Sequence, residues 1–162
     1  MNFSKIKNSI LKKKNGILAI LILMTFFLDR FSKIKIINEF SERSYFLNDF
    51  INLNLIWNTG VGFGLLSSTS SIFYNLITGF IIIILCILFY LSIISKNIER
   101  FIFAIIIGGA LGNLYDRIVY NAVPDFIDLH YNEFHWFTFN IADIFITMGV
   151  IIFITRGVFE KN

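Results

Sequence analysis

Asp143 is an acidic residue inside a stretch that is otherwise apolar. It lies three residues into the run 140–155, which is mainly Ile, Phe, Val and Met, and the nearest cation along that run is Arg156. An ionisable side chain at membrane depth costs roughly a few kcal/mol or more, so it usually faces a protein interior or a water-filled cavity and has a function. The alternative is a structural Asp that reaches the nearby interface or stabilises the positive helix N-terminus. A functional role for Asp143 therefore needs a second chemical group.

The composition identifies the environment of this acid. Of the 162 residues, 56% are hydrophobic, 17% aromatic and only 15% charged, which indicates an integral membrane protein. A single Pro and long apolar runs without alternation favour helices over a barrel. The net charge of +3 does not indicate nucleic-acid binding, because five lysines precede the first apolar run. We therefore expect one membrane-embedded domain that covers residues 1–162.

Hydropathy and charge predict the topology of this domain. We expect an all-α membrane protein with four transmembrane helices, at about 15–37, 71–95, 100–117 and 139–156, joined by outer segments at about 38–70 and 118–138. The N-terminus, the 95–100 turn and the C-terminal tail hold nine Lys or Arg and two acids, whereas the other side holds five and nine. This asymmetry places both termini in the cytoplasm.

The two outer segments carry different patterns. The stretch 44–58 alternates apolar and polar residues from Phe50 to Leu55, which predicts a half-buried strand, although a loop that re-enters the bilayer fits the composition equally well. The second segment follows the small residues of Gly108–Gly112, which permit close helix packing. Asn113, Asp116 and Arg117 come next, at helical spacing on one face.

Acids crowd the outer ends of the third and fourth predicted helices. Two carboxylates within a few ångströms cannot both ionise, so the pair shares one proton and supplies a base and an acid together. This chemistry suits peptide hydrolysis, in which one group activates water and the other protonates the leaving group. Position favours Asp143 with a partner from a loop, and spacing alone leaves five candidates for the pair: Asp29, Asp116, Asp125, Asp128 and Asp143.

Other chemistries have weaker support in the sequence. There is no Gly-x-Ser-x-Gly and no His-Glu-x-x-His motif, and we interpret His130 and His135 as surface residues rather than metal ligands. We therefore predict no metal site and no cofactor. The competing class is a small proton-coupled transporter that uses Asp143 as its carrier group. Transport would need polar residues in several spans, but the second span is free of charge.

Five motifs in order resemble those of the lipoprotein signal peptidase family, signal peptidase II. They are Asp29-Arg-Phe-Ser-Lys33, Asn58-Thr-Gly-Val-Gly-Phe63, Gly108-Gly-Ala-Leu-Gly-Asn113-Leu-Tyr-Asp116-Arg117, Val123-Pro-Asp125-Phe-Ile-Asp128 and Phe139-Asn-Ile-Ala-Asp143. The resemblance implies an aspartic endopeptidase of the bacterial inner membrane, with its active site near the outer face. Such an enzyme removes the signal peptide of a diacylglyceryl-modified prolipoprotein just before the lipidated cysteine.

The resemblance also implies roles for individual residues. Asp125 and Asp143 correspond to the catalytic pair; the polar residues that position substrate and pair are Asn58, Asn113, Arg117 and Asn140, with Asp29 and Asp116 as supporting acids. The outer segments would form a small β-like cradle and a short interfacial helix that clamp the substrate. We expect a monomer whose partners are this substrate and membrane lipid, and we take Asp128 as a loop acid at the water surface. Arg30 departs from the family, in which Gln is common there.

Overall fold

Four helices and a four-stranded sheet make up the described part of the chain. The computed structural model describes residues 13–40, 43–60, 71–95 and 98–159, so the N-terminal lysines before residue 13 and the motif residues after Gly60 lie outside it. The helices are α1 (Lys13–Glu39), α2 (Ser71–Ile94), α3 (Glu99–Tyr120) and α4 (Ile141–Phe159). The strands are β1 (Tyr45–Asn48), β2 (Ile51–Asn58), β3 (Val123–Tyr131) and β4 (Phe134–Phe139).

Three of the described helices are long and apolar enough to cross a membrane. These segments are Tyr74–Ile94, Glu99–Tyr120 and Ile141–Phe159. Helix α1 is longer, with 27 residues, but it carries Asp29, Arg30 and Lys33 in its C-terminal half. All three of these side chains are buried, because they pair with groups on other elements. A role for α1 as a fourth span remains a proposal.

Helix α3 is the central element, and it contacts the other three helices. Glycine makes this close approach possible on two sides. A Cβ on Gly108 would lie 2.6 Å from the carbonyl oxygen of Ile22 in α1, and one on Gly109 would lie 2.8 Å from that of Ala142 in α4. The small residues therefore pack helices closely, as the sequence predicts. Below them, Ile102, Phe103, Ile106 and Ile107 of α3 form the buried core with Leu85 of α2.

The outer segments fold into one antiparallel sheet with the strand order β1-β2-β3-β4. Of the two interpretations of the stretch 44–58, the strand is correct, because β2 spans Ile51–Asn58. Helix α3 ends at Asn121, whose φ of 54° is left-handed, a conformation that Asn tolerates better than most residues. The chain then enters β3, which pairs with β2 and β4.

The described chain is mostly helical, and the predicted β-like cradle is a small four-stranded antiparallel sheet. The predicted short interfacial helix is absent from the described residues of both outer segments. The segment 123–139 forms a hairpin instead, with a turn at Asn132 and Glu133 in which Asn132 has a φ of 52°. The strands of this hairpin form backbone hydrogen bonds with each other, and β3 also pairs with the edge of β2, a contact that a lone surface helix would not make.

Candidate active site

Asp143 lies in the first turn of α4 and is held there by a reciprocal cap. The backbone N–H of Asn140 donates to Asp143 Oδ2 at 3.2 Å, and the backbone N–H of Asp143 donates to Asn140 Oδ1 at 3.1 Å. This is the capping-box arrangement, in which two unpaired donors at a helix start are satisfied together. Asn140 thus precedes the helix as its cap. The helix itself begins at the next residue, Ile141.

Asp125 enters the same site from the sheet. It lies in β3 opposite Ile56 of β2, and only 2% of its surface is exposed. Asn140 Nδ2 donates to Asp125 Oδ1 at 2.6 Å, and Asn58 Nδ2 donates to Asp125 Oδ2 at 2.8 Å. Asn140 therefore binds both acids: its side-chain amide donates to Asp125, and it forms the reciprocal helix cap with Asp143. Asn140 thus links the two carboxyl groups at the junction of β3 and α4.

The fourth carboxyl oxygen of the pair has a donor as well. Asn113 Nδ2, from α3, donates to Asp143 Oδ1 at 2.9 Å. Each oxygen of Asp125 and Asp143 consequently accepts one N–H group, and three of the four donors belong to Asn side chains. An amide can fix the direction of a carboxyl group without changing the net charge. The site thus combines two buried acids with neutral N–H donors.

The pKa of Asp125 is raised from its ordinary value of 3.8 to about 7. Burial is the largest cause, because it disfavours the charged form, and the negative charge of Asp143 is the second. Hydrogen bonds from Asn58 and Asn140 and the positive charge of Lys33 oppose this rise. An acid whose pKa is close to 7 holds its proton near neutral pH and can also release it, as general acid–base catalysis requires.

A buried ion-pair cluster lies behind the pair, between α1 and α3. Lys33 Nζ is 2.7 Å from Asp29 Oδ2 and 2.7 Å from Asp116 Oδ2, and Arg30 also pairs with Asp116. The second oxygen of Asp29 accepts the backbone N–H of Ala142 at 2.9 Å, so this acid also ties α1 to the start of α4. Asp29 and Asp116 are thus structural neighbours of the pair.

Arg117 does not pair with its neighbour Asp116, which pairs with Arg30 and Lys33. It donates instead to the carbonyl oxygen of Gly60, and Asn58 Oδ1 accepts the N–H of that same glycine at 2.8 Å. Arg117 is only 4% exposed, and its Nε and Nη1 have no acceptor among the described residues. The guanidinium group therefore fixes the end of β2.

Two apolar cavities meet at Asp143. The larger, of about 500 Å³, lies between α2, α3 and α4, and Asn113, Arg117 and Asp143 form its polar end. The smaller, of about 270 Å³, lies between α4 and the β3–β4 hairpin, and it shares Asp143 and Thr147 with the larger one. An apolar cavity with a few convergent polar groups at one end is the usual form of a binding site.

Asp128 differs from its prediction as a loop acid at the water surface. It lies within β3, is 4% exposed, and its Oδ2 is 2.7 Å from His135 Nδ1. His130, also interpreted as a surface residue, is 5% exposed and stacks on the His135 ring at 5.4 Å. In the described residues, no group of three or more His, Cys, Asp or Glu is arranged to hold a metal ion. Side chains alternate along a strand, so Asp128 and Asp125 face opposite sides of the sheet.

The structure joins all eight predicted site residues into one hydrogen-bonded region, and it adds Lys33, which the sequence analysis did not select. This side chain is fully buried, and it contacts Asp29 four residues earlier on the same helix. An acid and a base at i and i+4 form a recognised helical pair. That spacing is the signal that would have drawn attention to Lys33.

Known proteins of one family match most of this chain. The family model described as signal peptidase (SPase) II matches residues 21–159. The lipoprotein signal peptidase of Pelagibacter ubique is 47% identical over 146 residues, which are 88% of this chain and 88% of that protein. The lipoprotein signal peptidase of Francisella tularensis subsp. novicida is 40% identical over 157 residues, covering 93% of this chain and 95% of that protein.

A solved structure described as a bacterial membrane enzyme has the same fold. It aligns with a TM-score of 0.79 at 27% identity and covers 91% of this chain and 90% of that chain. The matched residues include the strands and helices that carry Asp125, Asn140 and Asp143. On the evidence of the family model and of these relatives, the chain belongs to the signal peptidase II family.

Proposed function

We propose that this protein is an aspartic endopeptidase that removes signal peptides from diacylglyceryl-modified prolipoproteins, just before the lipidated cysteine. The observation that carries the proposal is the pair of buried acids, Asp125 and Asp143, which Asn140 bridges at the end of an apolar cavity. Relatives named lipoprotein signal peptidase support the substrate class. The protein is a membrane peptidase by family, and the pair gives it a mechanism.

The proposed reaction uses one proton that Asp125 and Asp143 share. The ionised carboxylate takes a proton from a water molecule while the water oxygen attacks the carbonyl carbon of the scissile peptide. The protonated carboxyl group donates a hydrogen bond to the carbonyl oxygen as negative charge develops there. The C–N bond then breaks, and a proton is passed to the departing amine, which becomes the new N-terminus of the lipoprotein. The pair ends the cycle with one proton, as it began.

The neighbouring polar groups have distinct proposed roles. Asn58, Asn113 and Asn140 hold the two carboxyl groups by the hydrogen bonds described above. Arg117 is suited to bind a backbone carbonyl of the substrate, because its Nε and Nη1 lack acceptors among the described residues and it lines the cavity beside Asp143. Asp29 and Asp116 are supporting acids. They fix the start of α4 and the buried Lys33, and they do not line the cavity.

The apolar walls of the site suit a lipid-modified substrate within a membrane. The cavity beside Asp143 is bounded mainly by Ile, Leu, Phe and Val side chains, which match the apolar part of such a substrate. We propose that the protein is a monomer that crosses the bacterial inner membrane four times. Both termini would lie in the cytoplasm and the sheet at the outer face. The charge asymmetry of the loops supports this topology.

The transporter alternative finds no support among the relatives, which are named as peptidases. The position of the acids also argues against it. Asp125 lies on the sheet and Asp143 lies in the first turn of α4. A carrier acid would be expected near the membrane midplane.

The test is a gel-shift cleavage assay on diacylglyceryl-modified prolipoprotein with purified wild type, Asp125→Asn and Asp143→Asn. Each substitution keeps the size of the side chain and removes the ability to share a proton. We expect each variant to lose at least about 1000-fold in cleavage rate, with its thermal unfolding in detergent close to that of the wild type. Wild-type turnover by either variant would exclude this pair.

Two controls make the assay specific. Asp128→Asn changes an acid on the same strand that faces the other side of the sheet, so we expect it to cleave substrate. The unmodified prolipoprotein tests the need for the lipid, and we expect it to be cleaved far more slowly. Equal rates on both substrates would contradict the assignment of a lipid-modified substrate.

A further inference from the structure

Lys33 is a fully buried cation that the proposed mechanism does not use. Its side chain has 0% exposure, and its ammonium group is 2.7 Å from Asp29 Oδ2, 2.7 Å from Asp116 Oδ2 and 2.8 Å from Asn113 Oδ1. An ammonium group has three N–H donors and no acceptor; Lys33 donates hydrogen bonds to Asp29 and Asn113 and forms an ion pair with Asp116. Burial of such a charge is unfavourable unless it is paired in this way. The two acids are sufficient to neutralise it, and the contact with Asn113 is an additional one.

The contact with Asn113 determines which way its amide points. Because Lys33 can only donate, the amide must present Oδ1 to it, and Nδ2 then faces the opposite way. Nδ2 donates to Asp143 Oδ1 at 2.9 Å. If the amide of Asn113 were rotated by 180°, its oxygen would face the carboxyl oxygen of Asp143. Its NH2 group would face the ammonium group of Lys33, so that two donors would oppose each other. The orientation that binds Asp143 is therefore coupled to the presence of Lys33.

We propose that Lys33 is a positioning residue for the peptidase reaction, and that it acts through Asn113 to hold Asp143 in the geometry for proton transfer. This inference rests on the proposed function of Asp125 and Asp143 as the reacting pair. Lys33 itself touches neither the cavity nor the reacting atoms. Its contribution passes along the chain of contacts Lys33–Asn113–Asp143, from α1 through α3 to α4.

The charge of Lys33 provides a second, independent signature. Asp29 from α1 and Asp116 from α3 pair with it directly, Arg30 from α1 pairs with the same Asp116, and Asp143 from α4 and Asp125 from β3 interact with it through charge. The positive charge of Lys33 lowers the pKa of Asp125. Removing Lys33 should thus raise the pH at which the pair loses its shared proton. Removing Arg30 takes the same charge from the same cluster without touching Asn113.

The experiment compares Lys33→Met with Arg30→Gln in the cleavage assay on diacylglyceryl-modified prolipoprotein. We expect Lys33→Met to lower kcat by about 10- to 100-fold, the range for loss of a charge-assisted hydrogen bond, and to leave KM within about threefold. We also expect the alkaline limb of its kcat/KM profile to move to higher pH. Arg30→Gln should keep kcat within about threefold and leave that limb in place.

A double-mutant cycle tests the path through Asn113. If Lys33 acts through that amide, adding Lys33→Met to Asn113→Ala should lower kcat by less than about a further threefold, because the amide to be oriented is already absent. Independent, multiplying losses would overturn the proposal. Wild-type kcat and an unmoved alkaline limb in Lys33→Met would also overturn it.

Lys33→Met leaves two buried acids with fewer partners, so it can reduce folding. The double variant Lys33→Met/Asp116→Asn removes one charge of each sign and keeps the cluster neutral, and we expect the same loss of kcat in this folded background. Normal kcat there would contradict the proposal. If the proposed function itself is wrong, the wild type will fail to cleave the lipid-modified substrate. That result is distinct from a failure of the proposal for Lys33, which concerns only the variants.

Discussion

Asn140 combines a structural and a chemical role, and two substitutions can separate them. Its Oδ1 caps α4 by accepting the N–H of Asp143, and its Nδ2 donates to Asp125 Oδ1 at 2.6 Å. Asn140→Ala removes both interactions. Asn140→Ser keeps a side-chain oxygen that can cap the helix, but it has no group that reaches Asp125 as the amide does. Ser and Asn are nearly equal as caps.

The magnitudes follow from these two contacts. Loss of an Asn cap costs about 1 kcal/mol in unfolding free energy, so Asn140→Ala should be less stable than the wild type by about that amount, and Asn140→Ser should be close to it. A hydrogen bond to a charged group contributes about 1.5–3 kcal/mol. Since about 1.4 kcal/mol corresponds to tenfold in rate, both variants should lose about 10- to 100-fold in kcat/KM.

The assay pairs thermal unfolding in detergent with cleavage of diacylglyceryl-modified prolipoprotein across a pH series. The lost hydrogen bond lowers the pKa of Asp125 in the wild type, so both variants should also show their alkaline limb at higher pH. Full activity in Asn140→Ser would refute the link between this amide and the reaction. Equal stability of the Ala and Ser variants would refute the capping role.

Three further predictions concern other parts of the molecule. The pKa of Asp125 lies at about 7, above its ordinary 3.8, so the stability that its protonated form contributes is present below about pH 4 and is lost as pH rises through about 7. The kcat/KM profile should fall over that same upper range, and a flat profile to pH 9 would contradict the shared proton. Asp128→Asn should keep at least about a third of wild-type activity because Asp128 faces away from Asp125. Complete loss in the cleavage assay would indicate that Asp128, and not Asp125, is the partner of Asp143. Gly108→Ala should lower the free energy of unfolding by about 1–3 kcal/mol, since its Cβ would lie 2.6 Å from a backbone carbonyl oxygen. Gly79→Ala, with no atom within 4 Å of its Cβ, should be neutral or stabilising in the same unfolding experiment.

The sequence predicts the local features of this protein better than its long-range contacts. Alternation indicates a strand before Asn58, and the glycines from Gly108 indicate close helix packing, because both patterns reflect neighbours in the chain. The hairpin over 123–139 is harder to predict. Its second strand is six residues long and mostly exposed, and its first is buried nearly throughout, so neither shows a clear alternation. The motif resemblance, not the pattern, selects Asp125 over Asp128.

The ion-pair partners of the acids are likewise difficult to predict from the sequence. Asp29 and Asp116 are each followed by an Arg in the sequence, but successive residues on a helix point in different directions. The structure pairs Asp29 with Lys33, one turn later, and Asp116 with groups from α1. A partner more than eighty residues away leaves no trace in local spacing. Only the Asp29–Lys33 pair was accessible from the sequence.

The arrangement of donors explains how two buried acids can coexist in this site. A cation in direct contact with Asp125 or Asp143 would hold that carboxylate ionised and would hinder the sharing of a proton. The chain instead gives both acids neutral donors and keeps the nearest buried ammonium, Lys33, one amide away from Asp143. In the proposed mechanism, its charge moderates the effect of burial on Asp125 without binding the reacting oxygens. The amide of Asn113 would then orient Asp143 and also separate the charge of the ion-pair cluster from the reaction.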